Sequence, residues 1–142
     1  MRRMKMVVPI LAVGAWIFAA ERLLAQPASN PAAVKAAESW LALVDGGQYA
    51  ESWKQAASLF RDKVTADQWS AAVRSAREPL GSIQTRKLVS AQFMRTLPGA
   101  PDGEYVVIRY ETSFQKKASA VETVTPMKDK DGAWRVAGYF IQ

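Results

Sequence analysis

Glu104-Tyr105-Val106-Val107-Ile108-Arg109-Tyr110-Glu111-Thr112-Ser113-Phe114 decides the fold. One parity, Val106, Ile108, Tyr110, Thr112 and Phe114, is apolar or favours strands. The other, Tyr105, Val107, Arg109, Glu111 and Ser113, carries the charges. Successive side chains of a strand point to opposite faces, so a two-residue period is the pattern of a half-buried strand. The turn-forming run Pro98-Gly99-Ala100-Pro101-Asp102-Gly103 precedes it and another strand candidate follows it. It is therefore expected to be a central strand of an antiparallel sheet covered by helices on one face.

Working outward, Ser82 to Leu97 reads as a long strand whose untidy alternation predicts a bulge or bend near Lys87–Ala91. Gln115-Lys116-Lys117 turns the chain into a strand from Ala118 to Met127, with Pro126 near its end. Lys128-Asp129-Lys130-Asp131-Gly132 is a hairpin turn closing on Asp-Gly. The passing likeness of this turn to a calcium loop lacks the later ligands and the closing Glu. The last strand, Ala133 to Ile141, is expected to set Trp134, Val136, Gly138 and Phe140 on one face.

Upstream of Gly81 the period changes to about 3.6 residues. Asn30-Pro31 predicts a helix start, with an N-cap side chain followed by proline at N1, and Gly46-Gly47 predicts its end. Val34, Ala37, Leu41 and Val44 form its stripe, widened by Trp40. A second helix is expected from Tyr49 to Phe60 through Tyr49, Trp53, Ala56 and Phe60. Thr65-Ala66-Asp67-Gln68 is a capping box opening a third helix, which runs to Arg77 with Trp69, Ala72, Val73 and Ala76 inward. Pro79 stops it. Helices followed by consecutive strands make an α+β domain: three helices on a curved four-stranded antiparallel meander with a cone-like or cystatin-like shape.

Ahead of this domain, Met1 to Ala25 reads as a secretory signal peptide. Arg2, Arg3 and Lys5 give a positive start, and Val7 to Ala20 is an uncharged run of h-region length, short for a span. Cleavage is expected between Ala25 and Gln26, with Ala28 as the alternative, and an uncleaved N-terminal anchor is the competing reading. Residues 26–30 are a linker and residues 31–142 a single domain. After cleavage no stable membrane span is expected, which places the protein in the periplasm or outside the cell.

Four of the 19 basic residues (Arg2, Arg3, Lys5, Arg22) and one of the 13 acids (Glu21) lie in the first 25 positions, leaving 15 basic and 12 acidic residues. That net charge of +3 is ordinary for solubility and argues against nucleic acid as a partner. The chain has no cysteine and no histidine, which excludes thiol catalysis, Ser-His-Asp machinery and His-bearing zinc sites. No metal and no cofactor are expected.

The runs Trp40-Leu41-Ala42-Leu43-Val44-Asp45-Gly46-Gly47-Gln48-Tyr49, Ser52-Trp53, Arg77 with Pro79-Leu80-Gly81, Pro101-Asp102-Gly103-Glu104-Tyr105, Glu122-Thr123-Val124-Thr125 and Asp131-Gly132-Ala133-Trp134-Arg135-Val136-Ala137-Gly138-Tyr139-Phe140-Ile141 together resemble an exported bacterial family, domain-of-unknown-function family 4019. The resemblance covers nearly all of the chain after the leader. It implies a small secreted or periplasmic domain of cystatin-like or nuclear-transport-factor-2-like kind, and it brings no catalytic residues.

Trp40, Trp53 and Trp69 lie in different helices. Packed core explains them first; the sharper alternative is a cavity lined by Trp40, Trp53, Trp69, Tyr110 and Phe114 that holds an apolar ligand. Arg109, Glu111 and Glu122 are expected to pair across strands on the solvent face. If Glu122 instead points inward, towards Tyr110 or Arg86, it becomes a base candidate. Lys116-Lys117 with Lys128 and Lys130 is a possible basic strip for an anionic surface. The leading expectation is a non-catalytic exported binding domain, for an envelope protein or an apolar small molecule in the cone. An acid–base enzyme (isomerase, dehydratase or hydrolase) using Glu122 or Asp45 with Tyr110 is the alternative. A structural homodimer through a sheet face carrying Tyr105 and Val107 is a third.

Overall fold

The computed structural model describes residues 30–142. The leader, its Ala25–Gln26 junction and most of the linker lie outside these residues. Helices α1 (Pro31–Asp45), α2 (Tyr49–Lys54), α3 (Ser58–Lys63) and α4 (Ala66–Arg77) are followed by a 3₁₀ turn, Glu78–Leu80. Strands β1 (Ile83–Met94), β2 (Tyr105–Phe114), β3 (Lys117–Lys128) and β4 (Trp134–Ile141) complete the chain. The strands form one antiparallel sheet in the order β1-β2-β3-β4, so the α+β meander is as the periodicity predicts.

The expected second helix is two short ones. Near the break the Ala57 amide donates to the Val136 carbonyl (2.8 Å). The Ser58 amide and hydroxyl donate to the Asp129 carboxylate (3.0 and 2.7 Å). These donors at the start of α3 are satisfied by β4 and the β3–β4 turn, which interrupts the helix and ties it to the far end of the sequence. The Asp129 turn acts here as a cap supplied from another element.

At α1 the proline start is present, but Asn30 is not a side-chain cap. It adopts the left-handed conformation (φ 71°) without a side-chain bond, and its carbonyl accepts from Ala33 and Val34. Asn tolerates that conformation better than most residues. The Thr65 box forms as read: the Gln68 amide donates to Thr65 Oγ1 (3.1 Å) and the Thr65 amide to Gln68 Oε1 (2.9 Å).

Register shifts alter which side chains face inward. In β1 they fall between Ile83 and Thr85 and between Leu88 and Ser90, the second inside the expected bend. Partners on β2 then place Arg86, Leu88, Ala91 and Phe93 on the helix side of the sheet, so the inward parity changes across the shift. In β4 the shift lies opposite Thr125 and Pro126, where Pro126 has no amide to donate to the ladder. Tyr139 and Ile141 consequently join Val136 in the core, whereas Phe140, expected to share the face of Val136, is half-buried.

The core fills the space between helices and sheet. Trp69 lies 5.1 Å from Phe60, 5.6 Å from Trp40 and 6.4 Å from Tyr139, centroid to centroid, and Trp40 lies 5.4 Å from Tyr139. On the other face, Leu97 and the segment after it fold over Tyr105, whose hydroxyl donates to the Pro101 carbonyl. Tyr105 is thus fully buried and is not part of an open sheet face as the homodimer reading supposed. Lys116-Lys117 and Lys128 with Lys130 sit at opposite ends of β3, so they do not make one basic strip.

Replacing Thr65 with Ala removes one half of the capping box. Urea unfolding is expected to show a loss of about 1 kcal/mol with an unchanged slope.

Candidate functional site

Two buried charges, Glu122 and Arg77, meet the half-buried Arg86 and the more exposed Asp45 on the helix side of the sheet. Glu122 lies opposite Tyr110 on β2, on the inward parity, and is completely buried. Arg109 and Glu111 are exposed, but neither makes an ion pair among the described residues, and Glu122 is not on the solvent face. Arg86 comes from β1, Asp45 from the last position of α1 and Arg77 from the last position of α4.

One guanidinium bridges both carboxylates. Arg86 donates from Nε to Glu122 Oε1 (2.8 Å) and from Nη2 to Oε2 (3.2 Å). It also donates from Nη1 to Asp45 Oδ2 (2.9 Å) and from Nη2 to Oδ1 (3.0 Å). These are two forked pairs, the geometry that a planar guanidinium suits. Glu122 further accepts from Thr112 Oγ1 (2.7 Å) and from the Tyr139 hydroxyl. Arg77 donates from Nη2 to Asp45 Oδ1 (2.8 Å), and its guanidinium carbon stands 4.9 Å from the Phe114 ring centroid. Two arginines and two carboxylates make the cluster neutral, which is the condition for burying charge at tolerable cost.

Burial alone would push the Asp45 carboxyl up, but the hydrogen bonds and charges of Arg86, then Arg77, outweigh it and hold it below its ordinary value. Asp45 would otherwise be disfavoured at the negative end of the α1 dipole. Burial, reinforced by the Glu122 charge, pushes the Tyr139 phenol well up. Burial and then the charge of Glu38 push Tyr110 up to about 12. The Tyr110 hydroxyl has no hydrogen-bond partner among the described residues.

The cluster brings together Asp45 and Glu122 through Arg86, with Tyr110 beside them. Yet four donated bonds converge on the Glu122 carboxylate, leaving no oxygen turned towards an approaching substrate. No group of three acidic, His or Cys side chains suited to a metal occurs among the described residues.

The aromatic candidates are occupied as well. Trp40 Nε1 donates to the Ser52 carbonyl and Trp69 Nε1 to Ser52 Oγ, each at 2.8 Å, while Trp53 Nε1 donates to the Val64 carbonyl (2.7 Å). Trp40, Trp69, Tyr110 and Phe114 are buried in one continuous core, and Trp53 packs at its margin. They do not surround an open chamber. Trp40 does reach one wall of an open groove of about 460 Å³ between α1, α2 and the start of β4, together with Leu43, Trp134 and Val136.

Sequence reasoning missed Arg77, Tyr139, Thr112 and Ser52. Arg77 carried a signal, because it falls four residues after Val73 and eight after Trp69, on the apolar stripe of α4. Tyr139 carried none, because the β4 irregularity moves it to the other parity.

Glu122→Gln leaves Arg86 facing one charge fewer and is expected to cost about 3–5 kcal/mol in urea unfolding, as for other broken buried pairs. Because the folded Asp45 value is depressed, its contribution is complete above its unfolded value of about 3.9 and is lost as pH falls through the folded one. Stability measured against pH should therefore show a flatter acid limb in Asp45→Asn than in the native protein.

A family model described as protein of unknown function (DUF4019) matches residues 36–139. The chain matches no curated protein and no solved structure.

Proposed function

The chain belongs to the DUF4019 family, a description that assigns no activity, and we propose that it is an exported, non-catalytic domain that binds another envelope protein. The observation that carries this reading is a filled interior beside a bare strand. Inside, Trp40, Trp69, Phe60 and Tyr139 pack ring against ring, so an apolar ligand could enter the cone only by displacing them. The saturated Glu122 carboxylate argues against the acid–base enzyme. At the β1 edge, by contrast, Leu88 (37% exposed), Val89 (54%) and Phe93 (38%) are large apolar side chains left in solvent. Apolar side chains clustered on a surface commonly mark an interaction site. Export is supported by Arg2, Arg3, Lys5 and the uncharged run from Val7 to Ala20.

A second reading is favoured by the groove beside Trp40 and Trp134, where a small apolar molecule would lie outside the cone.

The two readings separate by photo-crosslinking in the producing cell. A crosslinker at Val89 is expected to yield one discrete protein adduct that the same group at Ser75, exposed on α4, does not. No adduct from Val89, together with a rise in unfolding temperature with an apolar compound, would transfer binding to the groove. A ligand at 100 times its Kd stabilises by about 2.7 kcal/mol, which is visible in such a scan.

A further inference from the structure

We propose that the free edge of β1 receives an extended, acidic segment of the partner as a fifth strand, one whose side chains alternate apolar and acidic. This inference rests on the binding role proposed above and names the chemistry of its occupant.

The two edges of the sheet are treated differently. At β4, the Val136 carbonyl accepts the Ala57 amide, and α1 and α3 pack against the strand. β1 runs for 12 residues, pairs only with β2, and has no other backbone partner among the described residues. An unpaired edge presents a row of amides and carbonyls that an extended peptide can complete.

The side chains along that edge specify the guest. On the helix side, Leu88, Ala91 and Phe93 offer apolar neighbours to every second residue of an added strand. On the other side lie Lys87, Ser90 and Gln92. Between Pro79 and Pro101 the chain has no Asp or Glu, while Arg86, Lys87 and Arg95 fall within it. Arg86 is committed to Asp45 and Glu122. Lys87 is exposed, with Glu111 opposite it on β2, and Arg109 is exposed across the small Ser90. Arg95 stands over Phe93 at 5.2 Å from the ring centroid, at the end of the same edge. Lys87, Arg95 and Arg109 stand against Glu111, while Glu104, beside the Tyr105 partner of Met94, is paired with Lys128 (3.9 Å), so the complement is negative.

The same facts disfavour a second copy. Pairing β1 with β1 would collect Lys87 and Arg95 from two chains into a seam that neither strand supplies with an acid. A lysine and a bulge on an edge are the devices that keep strands from pairing with themselves. An acidic partner turns the lysine from an obstacle into a contact.

The test uses the exported protein, isotopically labelled, and a blocked twelve-residue peptide alternating valine and glutamate. Nuclear magnetic resonance titration is expected to move the amides of β1 and slow their hydrogen exchange. Lys87→Glu should weaken binding about fivefold, the scale of a cross-strand charge pair, and added salt should weaken it further. The same peptide N-methylated at alternate residues should not bind, because strand addition needs its amides; this control leaves the protein unaltered. Equal binding by the N-methylated peptide or by a valine–lysine peptide would overturn the proposal. So would shifts confined to the Trp40–Trp134 groove, or concentration-dependent self-association through β1. If crosslinking from Val89 gives a partner while the peptide leaves β1 unmoved, binding survives and strand addition falls. If both fail, both fall.

Discussion

The guanidinium of Arg86 between Asp45 and Glu122 is the contact on which the arrangement of elements depends. A charge removed from water must be matched by opposite charge and by hydrogen bonds, or burying it costs more than the surrounding packing returns. Here the match draws on six elements: Glu122 from β3, Thr112 from β2, Arg86 from β1, Tyr139 from β4, and the C-terminal residues of α1 and α4. A slip of β1 by one residue would turn Arg86 to the opposite face and leave both acids with too few donors. The cluster therefore opposes alternative registers in a strand that otherwise has little packing to fix it, since among the described residues no large helical surface covers β1.

Tyr139 joins this polar cluster to the aromatic core. Its ring packs on Trp40 and Trp69 while its hydroxyl donates to Glu122. Ser52 does the same work for the tryptophans, accepting Trp40 with its carbonyl and Trp69 with its hydroxyl. Large rings can fill the interior without orphaning their N–H groups because a small buried serine sits between them. These contacts fill the space between helices and sheet.

Most of the fold was legible because period is a local property. The central strand, the capping box at Thr65, the Pro31 start, the β3–β4 turn and the bend near Val89 all follow from residues within a few positions of one another. What failed was non-local. The helix from Tyr49 breaks beside Ala57 because that amide and the donors of Ser58 bond to residues 79 and 71 positions away. Tyr139 turns inward because the ladder shifts opposite Pro126, a proline on a different strand. Glu122 was readable as a charge in a strand, and its inward alternative, towards Tyr110 or Arg86, is the one that forms, as the pairing of β1 and β3 with β2 decides. The parity of Glu122 with Ala120 and Val124 was the one local hint that it faces the core.

The bonds from Ala57 to Val136 and from Ser58 to Asp129 also set an order of events. The N-terminal helices meet their tryptophan-lined core through β4, the last strand made, so their docking contacts span most of the sequence. Non-local contacts of this kind form late, because a long loop must close before they can contribute. A chain emerging from a ribosome or through a translocation pore amino end first would hold α1 to α4 undocked until Tyr139 and Ile141 had also appeared. The architecture thus postpones the docking of α1 to α4 until β4 has been made.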